Sequence, residues 1–96
     1  MKLELSPDAR EDLRVAQDYY ESQRSGLGAE LLEEIETILQ RVARSPLQFA
    51  VVKGSTARRA RAARFPYLVI FVALPDRVRV LAVAHERQVP HWRGRS

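Results

Sequence analysis

The last third of this 96-residue chain contains two apolar runs that constrain the fold more than any other part of the sequence. The first run covers residues 67–74 and the second covers residues 78–84; residues 75–77, which begin with the turn-forming pair Pro75 and Asp76, separate them. Both runs are rich in Val, Ile and Leu, and β-branched residues on either side of a turn-forming pair favour a pleated sheet. We therefore predict a β-hairpin, followed by a short basic and aromatic tail.

Two amphipathic helices precede this hairpin. Ser6 and Pro7 indicate a helix start, because a serine side chain caps free amide groups and proline suits the first helical position. Apolar residues then recur at helical spacing until two glycines interrupt the pattern within residues 22–28. A second, wider apolar stripe predicts a helix over about residues 29–44, which a serine–proline pair ends. The residues of this stripe are Leu31, Leu32, Ile35, Ile38, Leu39 and Val42.

The order of the elements defines the fold class. Residues 2–5 are a short strand candidate, and an arginine-rich segment at residues 57–64 is a further strand candidate before the hairpin. Residues 47–53 could be a loop or a short strand. The predicted order is β-α-α-β-β-β, an α+β fold in which a helical hairpin packs on one face of a small, largely antiparallel sheet. Residues 1–96 are expected to form one domain.

The composition excludes several classes of protein. A hydrophobic fraction of 46% is ordinary for a globular domain, and the absence of cysteine excludes disulfides and zinc–thiolate sites. The N-terminal segment lacks the apolar core of a signal peptide, and no segment reaches the ~20 apolar residues of a membrane helix. We expect a cytoplasmic protein without membrane association, metal or cofactor.

The charge is distributed unevenly along the chain. Residues 1–36 contain ten acidic and four basic residues, whereas residues 37–96 contain two acidic and twelve basic residues. Such an arrangement favours binding of a polyanion or of an acidic partner segment to the basic side. The alternative is a solvated basic face without a partner.

The hairpin has two apolar faces, and only one of them can meet the helices. Along the first strand, Tyr67, Val69 and Phe71 share one face. The opposite face would present an apolar patch of roughly a few hundred Å², the size that marks an interaction surface. A binding partner, a second copy of the chain or the tail after Ala84 would have to cover it. The residues of that opposite face are Leu68, Ile70, Val72 and Leu74.

Residue types suited to RNA cleavage are present, but their spacing does not place them in one site. Arginine stabilises phosphate charge, and histidine exchanges protons near neutral pH. A histidine at a strand end, as His85 is, is more often a packed or surface residue than a catalyst, and its spacing from His91 is not that of a metal site. Trp92 is expected to anchor the tail to the sheet in preference to stacking on a ligand. The candidate catalytic residues are Arg59, Arg61, His85 and Arg87.

Several motifs are specific when they occur together. They are Ser6–Leu13 opening a Tyr-Tyr helix, Ser45-Pro46 ending the second helix, Phe65-Pro66-Tyr67 before the hairpin, and Val80–His85 followed by Arg87, Pro90, Trp92 and Arg95. In this combination, which spans nearly the whole chain, the sequence resembles the RelE/ParE superfamily of type II toxin–antitoxin toxins, and specifically its ParE-like branch.

The resemblance implies a small bacterial toxin, of a kind linked to plasmid stabilisation, in a hetero-oligomer with a cognate antitoxin. The antitoxin's acidic, flexible C-terminal segment would neutralise it by folding on binding. ParE-like toxins poison DNA gyrase and are not hydrolases, and no sequence-specific DNA binding by the chain alone is expected. RelE-like relatives instead cleave mRNA in the ribosome, the best-known ones with a C-terminal tyrosine. The aromatic residue in this tail is Trp92, which favours the ParE-like branch.

These expectations assign residues to two surfaces. A ribosome-dependent mRNA endonuclease and a non-toxic protein that only binds antitoxin remain alternatives to the gyrase inhibitor. The predicted target-binding residues are Arg59, Arg61, Arg87, Trp92, Arg93 and Arg95. The predicted antitoxin-binding residues are Leu68, Ile70, Val72, Arg58 and Arg64.

Overall fold

A computed structural model describes residues 1–88 and 90–96. Its elements, in chain order, are β1 (Lys2–Leu5), α1 (Pro7–Gln23), α2 (Leu27–Arg44), a short 3-10 turn (Pro46–Gln48), β2 (Arg58–Arg61), β3 (Tyr67–Ala73) and β4 (Arg77–His85). The predicted order β-α-α-β-β-β and the α+β class are confirmed.

The four strands form one mixed sheet in the order β1-β4-β3-β2. The β2–β3 and β3–β4 pairs are antiparallel, as predicted for the hairpin, while β1 pairs with β4 in parallel. Ile70 pairs with Ala82 and Phe71 pairs with Val80, which leaves Leu81 as an extra residue in β4. Such a bulge bends a strand and increases its twist. Because β1 ends opposite Val80, no strand of the described chain pairs with that side of β4 beyond this point.

Local chemistry sets where the two helices begin. The Ser6 hydroxyl accepts a hydrogen bond from the amide of Ala9 at 3.0 Å, so the predicted cap is confirmed. Helix α2 begins two residues earlier than predicted, after Gly26 in the left-handed region with φ +90°. A Cβ at Gly28 would lie 2.7 Å from the Gln17 carbonyl oxygen, so the close helix crossing requires glycine there. In the described part of the chain, neither helix is long and apolar enough to cross a membrane.

The main core lies between the helical hairpin and one face of the sheet. Leu31 and Ile35 of α2 are fully buried against Phe71 of β3 and Val80 of β4. Five of the six residues in the predicted α2 stripe are buried, and Leu32 is half-buried. The pattern of apolar residues therefore identified this face of the helix correctly.

The C-terminal tail covers part of the opposite face of the sheet. The Trp92 side chain is only 6% exposed and packs with Ala57, Ile70, Ala82 and Ala84 in a second, smaller core. Of the three covers considered for this face, the structure therefore shows the tail. The expectation that the tryptophan anchors the tail is confirmed.

The segment before the hairpin is less regular than its composition predicted. Strand β2 is shorter than the predicted residues 57–64, and its outer edge is covered in part by a bridge between Val51 and Arg58. The chain then turns, and the Glu34 carboxylate of α2 accepts hydrogen bonds from the amides of Arg64 and Phe65 at 2.9 and 3.2 Å. This helix contact ends the strand early and directs the chain into β3.

Candidate functional site

An ion pair fixes the end of the tail to α1 and to the unpaired edge of β4. The Arg95 Nη1 atom donates to Asp12 Oδ2 at 2.7 Å and to the Leu81 carbonyl oxygen at 2.8 Å. Asp12 also accepts a hydrogen bond from the Val83 amide at 3.1 Å. Both charged side chains are only 16% exposed, and the hydrogen bond to Asp12 raises the pKa of Arg95. Asp12 and Arg95 therefore form hydrogen bonds with backbone groups of β4 that lie beyond the end of its pairing with β1.

Between the sheet and this tail lies a cleft of about 190 Å³, hereafter the tail cleft. Apolar residues form its floor and polar residues surround them. The apolar residues are Val52, Leu68, Ile70, Ala84, Pro90 and Trp92, and the polar residues are Arg59, His85, Glu86, Gln88 and Arg93. Ligand sites are usually mostly apolar clefts of about 300–1,000 Å³ with a few convergent polar groups, so the tail cleft has this composition in a smaller volume.

The two arginines of the tail cleft are held differently. The guanidinium carbon of Arg93 lies 5.1 Å from the Trp92 ring centroid, and Arg93 Nη2 donates to the Lys53 carbonyl oxygen at 3.3 Å. The cation–π contact and the hydrogen bond restrict its orientation. Arg59 is exposed, and its guanidinium has no ion pair or hydrogen bond within the described residues. The cleft thus has one oriented cation and one that is available for an anion.

His85 lies at the end of β4, where the tail cleft meets an aromatic surface. The Arg87 amide donates to His85 Nδ1 at 3.1 Å, so a neutral imidazole there carries its proton on Nε2. The ring packs edge-on against Tyr67 at 5.3 Å between centroids. Burial of Tyr67 raises the pKa of its phenol. His85 is therefore oriented on one side and offers a donor on the other.

The structure brings part of the predicted target-binding set together. Arg59, Trp92 and Arg93 line the tail cleft. Arg61 lies beside it, because its guanidinium pairs with the cleft residue Glu86 at 3.1 Å. Three of the six residues therefore line one concavity, and a fourth contacts its rim.

The remaining members of the predicted site are placed differently. Arg87 is exposed next to His85 but does not line the cleft, and Arg95 is held by Asp12. Of the four candidate catalytic residues, only Arg59 and His85 line the cleft. Within residues 1–88 and 90–96, no group of three metal-ligating side chains is found. The roles assigned to these residues stay predictions.

The predicted antitoxin-binding residues do not form one continuous surface. Leu68, Ile70 and Val72 share the tail-covered face, but Ile70 is only 1% exposed. Arg58 Nη1 donates to the Phe49 carbonyl oxygen at 2.7 Å. Arg64 pairs with Glu30 of α2 at 2.6 Å, on the helix side of the molecule. Within this set, Leu68 and Val72 keep some exposed apolar surface on the tail-covered face.

An apolar groove at the other end of the molecule was missed by the sequence prediction. It has a volume of about 590 Å³, and its walls include Met1, Leu47, Leu74 and Pro75. Leu47 is 70% exposed. The available signal was a leucine directly after the helix-ending Ser45-Pro46 pair, but residues 47–53 were left open between loop and strand. Because the groove joins the N-terminus to the hairpin turn, it follows from tertiary structure alone.

One comparison with known proteins identifies a family, and another identifies a shared fold. A family model described as the ParE toxin of the type II toxin–antitoxin system parDE matches residues 3–90. Among curated proteins, no match is found. A solved structure titled as a chromosomal ParDE toxin–antitoxin system from P. aeruginosa is similar, with a TM-score of 0.80 and 17% sequence identity. The match covers 88% of this chain and 95% of that chain, and at this identity it shows a shared fold.

Proposed function

This chain belongs to the ParE toxin family of type II toxin–antitoxin systems, and from that premise we propose that it inhibits DNA gyrase and that a cognate antitoxin neutralises it. The observation that carries the proposal is the family match over residues 3–90. Gyrase inhibition is what the ParE-like resemblance implies. The lack of a tyrosine in the tail supports it over mRNA cleavage.

The exposed arginines around the tail cleft support contact with a target that carries nucleic acid. Arg59 and Arg87 are exposed, and Arg61 is 71% exposed despite its pair with Glu86. Grouped cations with few internal partners attract a polyanion and speed its association. A gyrase–DNA complex offers such a charge. We propose that these arginines, with Arg93, approach that complex.

A supercoiling assay with the purified chain tests the proposal. With gyrase, ATP and relaxed plasmid, excess toxin should reduce supercoiling and should leave cleaved DNA after protein denaturation. Arg59→Ala should weaken this effect while leaving the melting temperature unchanged. Arg10→Ala is the matched control, because it removes an exposed arginine of α1 on the helix layer. Unchanged supercoiling at a large excess of toxin would refute gyrase as the target.

One observation favours ribosome-dependent mRNA cleavage as a second candidate. The tail cleft places His85 and Arg59 in the same concavity, and the Arg87 amide orients the imidazole. A histidine of this kind acts as a general acid or base beside a cation that stabilises phosphate charge. Induction of the chain alone in bacteria separates the candidates. DNA breaks with translation initially intact support gyrase inhibition, and prompt translation arrest that His85→Ala abolishes supports cleavage.

We propose that the antitoxin uses the apolar groove at Leu47 together with the half-buried Leu68 and Val72. Leu47 is the most exposed large apolar side chain of the described residues, and exposed apolar surface of this kind marks an interaction site. Leu47→Asp should prevent co-purification with the cognate antitoxin. Ala50→Asp adds the same charge at an exposed site outside the groove and should not. Harmless expression without antitoxin would indicate a non-toxic antitoxin-binding protein.

A further inference from the structure

We infer that the tail cleft binds one unpaired base of single-stranded DNA, with the adjoining phosphates held by Arg59 and Arg93. This inference rests on the proposed function, because it names the DNA strand of the gyrase complex as what the cleft contacts. It does not require sequence-specific binding. The occupant follows from the shape of the floor, from the charge at the rim and from the hydrogen-bond donors between them.

The floor of the tail cleft suits a flat, largely apolar ring. The half-buried Leu68 and the exposed Pro90 supply carbon surface beside the nearly buried Ala84 and Trp92, and the volume is about 190 Å³. A cavity of this size admits one planar ring system and excludes a helix or a duplex. Stacking of a base on an aromatic side chain is one sequence-tolerant term in single-strand binding, and attraction of the backbone to a positively charged groove is the other.

The rim of the tail cleft places positive charge next to the apolar floor. Arg59 and Arg93 line the cleft, and the carboxylate of Glu86, which also lines it, is paired with Arg61 at 3.1 Å. The planar fork of a guanidinium binds phosphate oxygens through two parallel hydrogen bonds. An apolar planar group next to an anion is the chemistry of a nucleotide. A purely acidic peptide would satisfy the arginines and leave the floor empty.

Two side chains at the rim keep donor groups that have no hydrogen-bond partner within the described residues. His85 Nδ1 accepts the Arg87 amide, and Gln88 Oε1 accepts the His85 amide at 2.8 Å. The remaining groups are the N–H of the imidazole and the NH₂ of the glutamine amide. Both suit carbonyl oxygens on a base edge, which thymine carries and adenine lacks. In a duplex the base edge is paired, so an unpaired strand is the better ligand.

The single tryptophan of the chain makes the test direct, because Trp92 forms part of the cleft floor. Intrinsic fluorescence is followed during titration with a labelled twelve-nucleotide oligothymidylate, and anisotropy gives the affinity. The critical comparison is an oligonucleotide of equal length with abasic sites, which keeps every phosphate. Oligothymidylate should bind at least about fivefold more tightly, as stacking of one base implies. Equal affinities would overturn the inference.

Variants of Arg59 test whether this residue contacts a phosphate of the bound strand. Arg59→Ala should weaken oligothymidylate binding about tenfold, the loss expected for a charge-assisted hydrogen bond. It should also reduce the slope of log affinity against log salt by about 0.7, the value for one phosphate contact on a single strand. Arg59→Lys should keep the slope, and Arg10→Ala should change neither quantity. Equal losses for Arg59→Ala and Arg10→Ala would overturn the assignment of the cleft.

Two further comparisons distinguish a failure of the tail-cleft inference from a failure of the proposed gyrase inhibition on which it rests. A duplex of the same sequence should bind more weakly than the single strand, and oligouridylate should not bind more tightly than oligothymidylate. Tighter RNA binding would overturn the choice of DNA and favour mRNA cleavage. Gyrase inhibition without oligonucleotide binding would refute the cleft inference alone. Oligonucleotide binding without any effect on gyrase would refute the target and leave the binding site standing.

Discussion

The two faces of the sheet are both covered, but by different kinds of structure. On one face, two helices bury aliphatic side chains such as Leu31 and Ile35 completely. On the other face, a short tail is held by one buried ring, Trp92, and by the ion pair between Arg95 and Asp12. The helix-covered face therefore belongs to the cooperative core, whereas a tail held by few contacts can open locally without global unfolding. The apolar floor of the tail cleft lies on this second face.

Truncation of a core aromatic residue should have the largest effect. Phe71 is fully buried on the helix-covered face, and Phe71→Ala should cost ~3–5 kcal/mol of unfolding free energy because it leaves a cavity. Chemical denaturation of the purified variant measures this loss. A cost below that of Trp92→Ala would contradict the proposed difference between the faces.

The corresponding truncation on the tail-covered face should cost less. Trp92→Ala removes a side chain of similar burial, 6% exposed, yet the loss should fall below the ~3–5 kcal/mol of a core aromatic residue. The reason is that the tail can detach while the helices and strands remain packed. Limited proteolysis should then cut the variant after β4 and leave a folded fragment. Trp92→Phe, which keeps a ring, should resist the same protease.

The helix-covered face was predictable because its signals are local. The α2 stripe repeats every three to four residues, and Ser6 and Pro7 mark a helix start within a few positions. Alternation along residues 67–73 also assigned Val69 and Phe71 to one face and Ile70 to the other. In each case the residues that determine the structure are close together in sequence, so their local pattern is enough to predict it.

The tail-covered face was predicted only in part, because its contacts are long-range. Asp12 and Arg95 are 83 positions apart, and nothing in their spacing identifies them as a pair. The bulge at Leu81 lies within a continuous apolar run, where no alternation of polar and apolar residues reveals it. Arginines were recognised as a set, but only the structure distinguishes the available Arg59 from the paired Arg95. The composition of the sequence predicted that arginines bind an anion, but only the tertiary contacts show which arginines are available to do so.

Removal of the Asp12 carboxylate should release the tail without affecting the helix-covered face. Asp12→Ala leaves the Val83 amide without its acceptor and removes the closest carboxylate partner of Arg95, which keeps only the Leu81 carbonyl oxygen and Asp8 at 3.7 Å; the loss should cost ~1–3 kcal/mol. It should also weaken oligonucleotide binding, since the tail forms one wall of the tail cleft. Asp18→Ala is the control, because it removes an exposed carboxylate of α1 that pairs with Arg14 at 2.8 Å. Equal destabilisation by both variants would show that the Asp12 pair has no special role in holding the tail.

Acid should destabilise the part of the tail-covered face where β1 pairs with β4, and this should be the smallest of the predicted effects. Hydrogen bonds from Arg77 and then Arg79 lower the pKa of Glu4, which ties β1 to β4 on that face. A carboxyl group whose pKa is lower in the folded state stabilises the protein above its unfolded pKa, about 4.3 for glutamate. That contribution is lost as the pH falls through the folded pKa.

Glu4→Gln should therefore reduce the difference between the melting temperatures at pH 6 and in the acid range. The change should be small and should shrink in high salt, because an exposed ion pair is screened by solvent and ions. Glu36→Gln makes the same substitution on the exposed side of α2 and should leave that difference closer to the parent value. If Glu4→Gln kept the full acid sensitivity of the parent, the strand pair would owe its stability to backbone hydrogen bonds alone. The tail would then supply the only side-chain contacts that stabilise the tail-covered face, and those contacts lie at one end of the sheet. Local opening of this face would be easier as a result.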